Sequence, residues 1–295
     1  PLYTNYRGFA ALLGIELRAV CTYADTGYHL PPVAEISKCV GPRTKAILYS
    51  SPGNPTGTVL SRQEIEAIVQ IAKERDLFVL ADEVYREFTF EEARSVSLLE
   101  VAEECSCLER AVILDSASKR HSLCGGRIGA LVTHNEAISA AAVRMAQARL
   151  SSPTLEQVGA AALMDLPAAY YESIRQEYAR RRDIVHRALC AIPGTICAKP
   201  EGAFYVLPRL PLASAGRPQR ELFDAEALAR FLLLDFELQG ETVMVAPGAG
   251  FYITPGLGSD EVRIAYVLGS PRLERAMEVF RRGVEAFMSG ASQLS

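Results

Sequence analysis

The chain has 295 residues, 49% of them hydrophobic and 22% charged, with 31 basic against 35 acidic side chains for a formal net charge of -4. That length allows one large domain or two medium ones, and the composition supplies a core, which excludes disorder as the main state. The near balance of charge argues against nucleic acid or a membrane surface as partner, and no apolar run reaches the ~20 residues that span a bilayer.

In chain order, Lys45 to Ser50 reads as a short buried strand ended by the breakers Ser51-Pro52-Gly53-Asn54-Pro55. Ser61 with Glu64 three residues on predicts a capping box, and Ile65, Ile68, Val69 and Ala72 follow at helical spacing. Leu77 to Ala81, Ala111 to Leu114 and Ile128 to Val132 read as three further strands. Strands separated by helix-length segments predict parallel pairing through crossover helices, and their unbroken apolar character predicts cover on both faces. Glu136 to Leu150, Thr154 to Met164 and Ala168 to Leu189 read as helices. The last carries Arg175, Arg180, Arg181, Arg182 and Arg187, which reads as a solvated face. Beyond Pro193-Gly194 the pattern is mixed. Strands are expected near Ala203 to Leu207, Val243 to Ala246 and Val262 to Val267, with helices over Asp224 to Leu238 and Arg272 to Met288.

The seven cysteines are odd in number in a large chain, which argues against a disulfide framework. Cys105 and Cys107 form a lone C-x-C, and the four histidines are scattered, so no metal site is expected. The opening residues show no basic-then-apolar signal pattern, and a reducing cytoplasm is the expected compartment.

Four features carry chemistry. Asn54-Pro55-Thr56-Gly57 follows a strand and is either turn chemistry or a ligand contact. Asp82-Glu83-Val84-Tyr85 puts a carboxylate at a strand's carboxyl end, where open parallel sheets bind ligands, although strand-end acids also cap helices. Ser116-Ala117-Ser118-Lys119 follows the next strand, with Arg127 eight residues beyond the lysine. Two hydroxyls, an amine and a guanidinium can hold a phosphate and present a nucleophile that bonds carbonyl carbon. Arg263 lies in an apolar strand and must find an anion there, either a structural carboxylate or a substrate carboxylate.

In this order, and together with Pro1-Leu2-Tyr3-Thr4-Asn5-Tyr6, the Pro200 to Tyr205 segment and the Ala246-Pro247-Gly248 turn, these residues resemble the class I/II aminotransferases, fold type I enzymes dependent on pyridoxal phosphate. The resemblance implies an α/β fold: a large cofactor domain over 1–175 with a mostly parallel sheet and helices on both faces, and a small C-terminal α+β domain over 176–295. It implies that Lys119 bonds the cofactor and shuttles a proton, and that Asp82 partners the pyridine nitrogen. Asn54 and Tyr85 would donate to the ring 3-oxygen, Ser116, Ser118 and Arg127 would bind phosphate, and Arg263 would take the substrate α-carboxylate. The Gly125-Gly126 pair either lets backbone approach the cofactor or is a simple turn.

The expected partners are an α-amino acid (aspartate or another common donor), a 2-oxo acid and a second copy of the chain. The resemblance also implies that family members carry about a quarter more chain ahead of this segment. That part would supply a phosphate-gripping turn and a ring-stacking aromatic. A fragment-complementing or inactive subunit, or a carbon–sulfur lyase using the same residues, are the rival expectations.

Overall fold

The apolar runs of the first half become strands because each is short, bounded by turn residues and backed by an amphipathic helix. The computed structural model describes residues 1–212 and 223–290. Helices α1 (Asn5–Leu12) and α2 (Val33–Lys38) precede β1 (Ala46–Ser50), α3 (Arg62–Arg75) and β2 (Phe78–Asp82). Next come α4 (Leu98–Glu104), β3 (Ala111–Ser116), α5 (Ala117–Arg120) and β4 (Gly129–Thr133). Helices α6 (Glu136–Arg149), α7 (Thr154–Ala162) and the long α8 (Ala168–Cys190) lead to β5 (Tyr205–Val206). Then follow α9 (Ala225–Leu234), β6 (Ala246–Pro247), β7 (Val262–Ala265) and α10 (Ser270–Ser289). Ser61 and Glu64 form the reciprocal cap that the sequence predicts at α3.

The first four strands pair in the order β1-β2-β3-β4. β1–β2 and β2–β3 are parallel, and the row Tyr49, Ala81, Ile113 faces α3 and α4. There it packs with Ile65, Ile68, Val69, Leu98 and Val101, each contributing about 1.5–3 kcal/mol on full burial. β4 departs from the expected parallel pairing. It runs antiparallel to β3, with Ser116 opposite Gly129. A parallel return needs a crossover of a dozen residues or more, usually a helix, and only the four-residue α5 and a tight turn lie between these strands.

The second sheet face is less covered than the sequence predicts. Leu48 and Leu131 are 37% and 41% exposed there, and α6 and α7 bury none of their residues.

A second core gathers the last turns of α8 with α9, α10 and the three-stranded antiparallel sheet β5-β7-β6. α8 spans two apolar clusters: Ile174 and Tyr178 pack against a small core of Tyr85, Phe88, Ala203 and Tyr205, and Ile184, Val185 and Leu189 lie in the second core. Its Arg175, Arg180 and Arg181 pair with Glu172 and Glu177 at the surface, as a solvated face should. Arg182 does not follow that expectation. It is 2% exposed, donates to Glu91 and the Pro200 carbonyl, pairs with Asp183, and lies 5.0 Å from the Phe90 ring. A helix that spans two cores turns part of its charged face inward, and those partners come from segments remote in sequence.

His29 joins three segments. Its ring nitrogens lie 3.1 Å from Glu64 at the start of α3 and 3.4 Å from Glu201 ahead of β5. The bonds to Glu201 and Glu64 raise His29 to about 10. Burial works against the Glu64 charge, but hydrogen bonds from His29, Leu30 N–H and Ser61 outweigh it and hold that carboxyl at about 2. The signs follow from linkage. The His29 contribution is complete below its ordinary value of 6.5 and fades as pH rises toward 10. The Glu64 contribution is complete above 4.5 and fades as pH falls toward 2. We therefore expect the melting temperature of His29→Asn to lie below wild type at pH 6 and to converge with it by about pH 10. A difference that stays constant across that range would remove His29 from the alkaline loss.

Among the described residues, no helix is long and apolar enough to cross a membrane, and no group of three or more His, Cys, Asp or Glu side chains could hold a metal ion.

Candidate active site

The carboxyl ends of β1, β2 and β3 lie side by side, with Ser50 opposite Asp82 and Ser116 closing the next strand. Ligands of open α/β sheets bind at this edge.

Asp82 ends β2 with its carboxylate largely buried. The Tyr6 hydroxyl donates a short bond to Oδ2, and the Val84 N–H lies 3.3 Å from Oδ1. Burial pushes this carboxyl above its usual range, against the pull of Tyr6, Val84 N–H and the Lys119 ammonium. Lys119 sits in α5, whose first turn is capped by Ser116. The Ser116 Oγ accepts the Ser118 N–H at 3.1 Å and lies 2.8 Å from Ser118 Oγ. The Lys119 Nζ stands 5.7 Å from the centroid of the Tyr85 ring and 5.9 Å from that of Phe204. Among the described residues no carboxylate pairs with it within 4 Å.

Tyr85 is buried among Phe88, Phe204 and Tyr205, and its hydroxyl lies 3.1 Å from that of Tyr205. One of the two protons makes that bond, which leaves the pair one further donor. Asn54 Oδ1 accepts from Arg263 Nη1 at 3.1 Å, so the Asn54 turn and β7 meet across the chain. The Arg263 guanidinium carbon lies 4.8 Å from the centroids of both Tyr205 and Phe251. Such contacts hold the planar fork while leaving its edge for an anion. A structural carboxylate, the alternative partner left open by the sequence, does not lie within 4 Å among the described residues.

Arg127 is the outlying member. It is exposed, has φ +54°, and donates to the Cys124 carbonyl at 2.9 Å. A Cβ at Gly125 would meet nothing within 4 Å, and the atoms nearest to one at Gly126 belong to the Leu123 side chain.

Sequence reasoning missed Tyr6, the partner of Asp82, and the rings of Phe204, Tyr205 and Phe251. The signal for them lay in the segments that carry the resemblance: Tyr6 ends Pro1 to Tyr6, Phe204 and Tyr205 lie in Pro200 to Tyr205, and Phe251 stands just beyond Ala246 to Gly248. The ring-stacking aromatic was expected outside this chain. The structure nevertheless brings Tyr3 to the site, its ring edge-on to that of Tyr6 with centroids 5.6 Å apart.

An amine without a counter-ion, a buried carboxylate, two facing hydroxyls, a free guanidinium edge and a second guanidinium between rings fit the donor set that pyridoxal phosphate and an amino acid require. A largely parallel α/β sheet with these groups at its carboxyl edge is the architecture of the enzymes that act on amino acids through that cofactor. The chain belongs to the aminotransferase class I and II family, whose model matches residues 1–280. It is 32% identical to the aspartate aminotransferase of Bacillus subtilis (strain 168) over 287 residues, covering 97% of this chain and 68% of that protein. It is 32% identical to the aspartate aminotransferase of Geobacillus stearothermophilus over 253 residues, covering 85% of this chain and 60% of that one. The crystal structure of the aromatic aminotransferase from Pyrococcus horikoshii OT3 superposes with a TM-score of 0.83 at 30% identity, covering 97% of this chain and 71% of that one. The chain thus spans roughly two thirds of the length of the relatives it matches.

Proposed function

We propose that this chain carries the cofactor lysine and the substrate-carboxylate fork of an aminotransferase that moves an amino group between an α-amino acid and a 2-oxo acid. The observation that supports it best is Lys119, an amine with no counter-ion held over the Tyr85 ring beside the buried Asp82 carboxylate. When bound, pyridoxal phosphate supplies an electrophilic carbon and an electron-accepting ring.

The protein groups do the rest. Lys119 Nζ would be the group that bonds that carbon and, when free, the general base that takes the proton from the substrate Cα. Asp82, oriented by the Tyr6 hydroxyl, would hold the ring nitrogen in its protonated form. Asn54 and Tyr85 would donate to the ring 3-oxygen, and Ser116, Ser118 and Arg127 would bind the phosphate. Arg263 takes the α-carboxylate bidentately between Tyr205 and Phe251. Aspartate is the first donor to try, given the names of two of the relatives. Borohydride reduction of the cofactor-loaded protein followed by peptide mapping should label the peptide holding Lys119, and a label on another lysine would overturn this reading.

Arg263→Lys tests the fork. It keeps the charge but loses the second donor, and a hydrogen bond to a charged group contributes ~1.5–3 kcal/mol. KM for both amino acid and oxo acid should rise by about tenfold or more, with cofactor absorbance unchanged. Loss of the cofactor with no such rise would make Arg263 a structural residue.

A second reading is supported by the chain's open apolar surface, where Phe9, Leu12, Leu13 and Met145 are exposed. In that reading the chain works with a complementary N-terminal fragment. Titration with pyridoxal phosphate separates the two readings. Stoichiometric binding and ordinary turnover by the chain alone sink the second, whereas weak binding restored by a co-expressed N-terminal segment of a relative supports it. We also infer a homodimer in a reducing cytoplasm, to which the exposed apolar side chains and the seven free thiols lend support. Sedimentation of a monomer at micromolar concentration would remove the dimer.

A further inference from the structure

We propose that Glu261 is a positioning residue for the Arg263 fork, acting through Tyr252 and the Phe251 ring, and that it thereby tunes affinity for the substrate carboxylate. The inference rests on the role given to Arg263 above.

Glu261 stands two residues before Arg263 at the entrance to β7, so both side chains leave the same face of the strand. It is 5% exposed. A buried carboxylate on the face of a guanidinium is its natural partner, yet among the described residues no ion pair joins the two within 4 Å. Two tyrosines occupy the carboxylate instead. Tyr252 donates to Oε2 at 2.7 Å, and Tyr28 donates to Oε1 at 3.0 Å while also lying 2.7 Å from the Leu207 carbonyl. With both oxygens so held, the carboxylate stays off Arg263, and the guanidinium edge remains open to an anion from solution.

The same bonds fix the ring that packs on the fork. Tyr252 directly follows Phe251, whose centroid lies 4.8 Å from the Arg263 guanidinium carbon. The turn that carries both is pressed onto Glu261. Gly248 N–H donates to the Glu261 carbonyl at 2.7 Å, and a Cβ at Gly248 would come within 2.6 Å of the Glu261 Cβ. Only glycine allows that approach. Glu261, the 248–252 turn and the fork therefore move as a unit, and the Tyr252 hydroxyl is the side-chain tether. Tyr28 reaches the same carboxylate from the opening segment, shares its one proton between Oε1 and the nearer Leu207 carbonyl, and meets the 248–252 turn only at the Tyr252 hydroxyl, not at Phe251.

Three variants of the cofactor-loaded protein test this, read by KM and kcat for both half-reactions and by calorimetric binding of succinate. Arg263→Lys is the reference and should raise KM as stated above. Tyr252→Phe should raise both KM values and the succinate dissociation constant about three- to tenfold, because only part of the lost bond to the carboxylate is passed on to the fork, with kcat within about twofold. Tyr28→Phe removes a hydroxyl from the same carboxylate and should move these quantities less than about twofold. A role confined to general stability would move the two tyrosine variants alike. Equal effects, or no effect of Tyr252→Phe on KM while Arg263→Lys raises it, would overturn the proposal. No effect of Arg263→Lys would instead overturn the reading of the fork. Should Tyr252→Phe fail to fold, Glu261→Gln keeps the volume and one acceptor oxygen and carries the same expectation.

Discussion

Replacing Lys119 with alanine is expected to lower the transamination rate by about 10²–10⁴-fold through the lost proton transfer alone. The amine lies at the carboxyl edge of the sheet, in the short helix opened by the Ser116 cap, and its surroundings leave it available. The faces of Tyr85 and Phe204 flank it, and no carboxylate within 4 Å among the described residues competes for it. A water molecule placed in the space left by the side chain has neither the basicity nor the fixed position of Nζ. Arg120, the next residue, cannot replace it, because its guanidinium is held by Asp115 and offers donors but no acceptor. Single-turnover mixing of the variant with amino acid measures the proton-transfer step directly. A variant that keeps more than a tenth of the wild-type rate would show that another group is the base.

Asp82→Asn should lower kcat by about two to four powers of ten while leaving the cofactor-free protein as stable as wild type or more so. Two terms with opposite signs produce this split. Without a cationic partner, burial disfavours the carboxylate and raises its pKa. At neutral pH its ionised form then works against folding, and the amide relieves that penalty while still accepting the Tyr6 hydroxyl bond. With a protonated ring nitrogen opposite, the asparagine leaves a buried cation unpaired, a loss of about 3–5 kcal/mol. At 1.36 kcal/mol per factor of ten that is the stated fall in rate. Melting curves of the cofactor-free proteins and steady-state kinetics of the loaded ones test the two halves separately. A variant within tenfold of wild-type kcat would deny Asp82 its place opposite the ring nitrogen. A clear loss of stability without cofactor would mean that the carboxylate is held for the fold.

Several local features were legible from the residues because their causes are local. Ser61 and Glu64 make a capping box by their spacing of three, the short apolar runs between breakers can form little but strands, and Asp82 and Ser116 fall at strand ends because the apolar runs stop there. Lys119 and Arg263 stood out because an amine just past a strand and a guanidinium within one each require a partner that the neighbouring residues do not provide.

Tertiary structure alone decided which groups meet. Tyr6 reaches Asp82 across 76 residues, Arg263 reaches Asn54 across 209, and Tyr28 reaches Glu261 across 233. Periodicity describes one element at a time and carries no information about such pairs. The antiparallel β4 and the buried Arg182 belong to the same group. The first depends on how the chain turns after α5, and the second on a helix that spans two apolar clusters. Local propensity and spacing therefore sufficed for the elements and for the residue types that carry chemistry. The partners of those residues were set by packing between segments far apart in sequence, because a hydrogen bond or ring contact requires only that two groups be close in space.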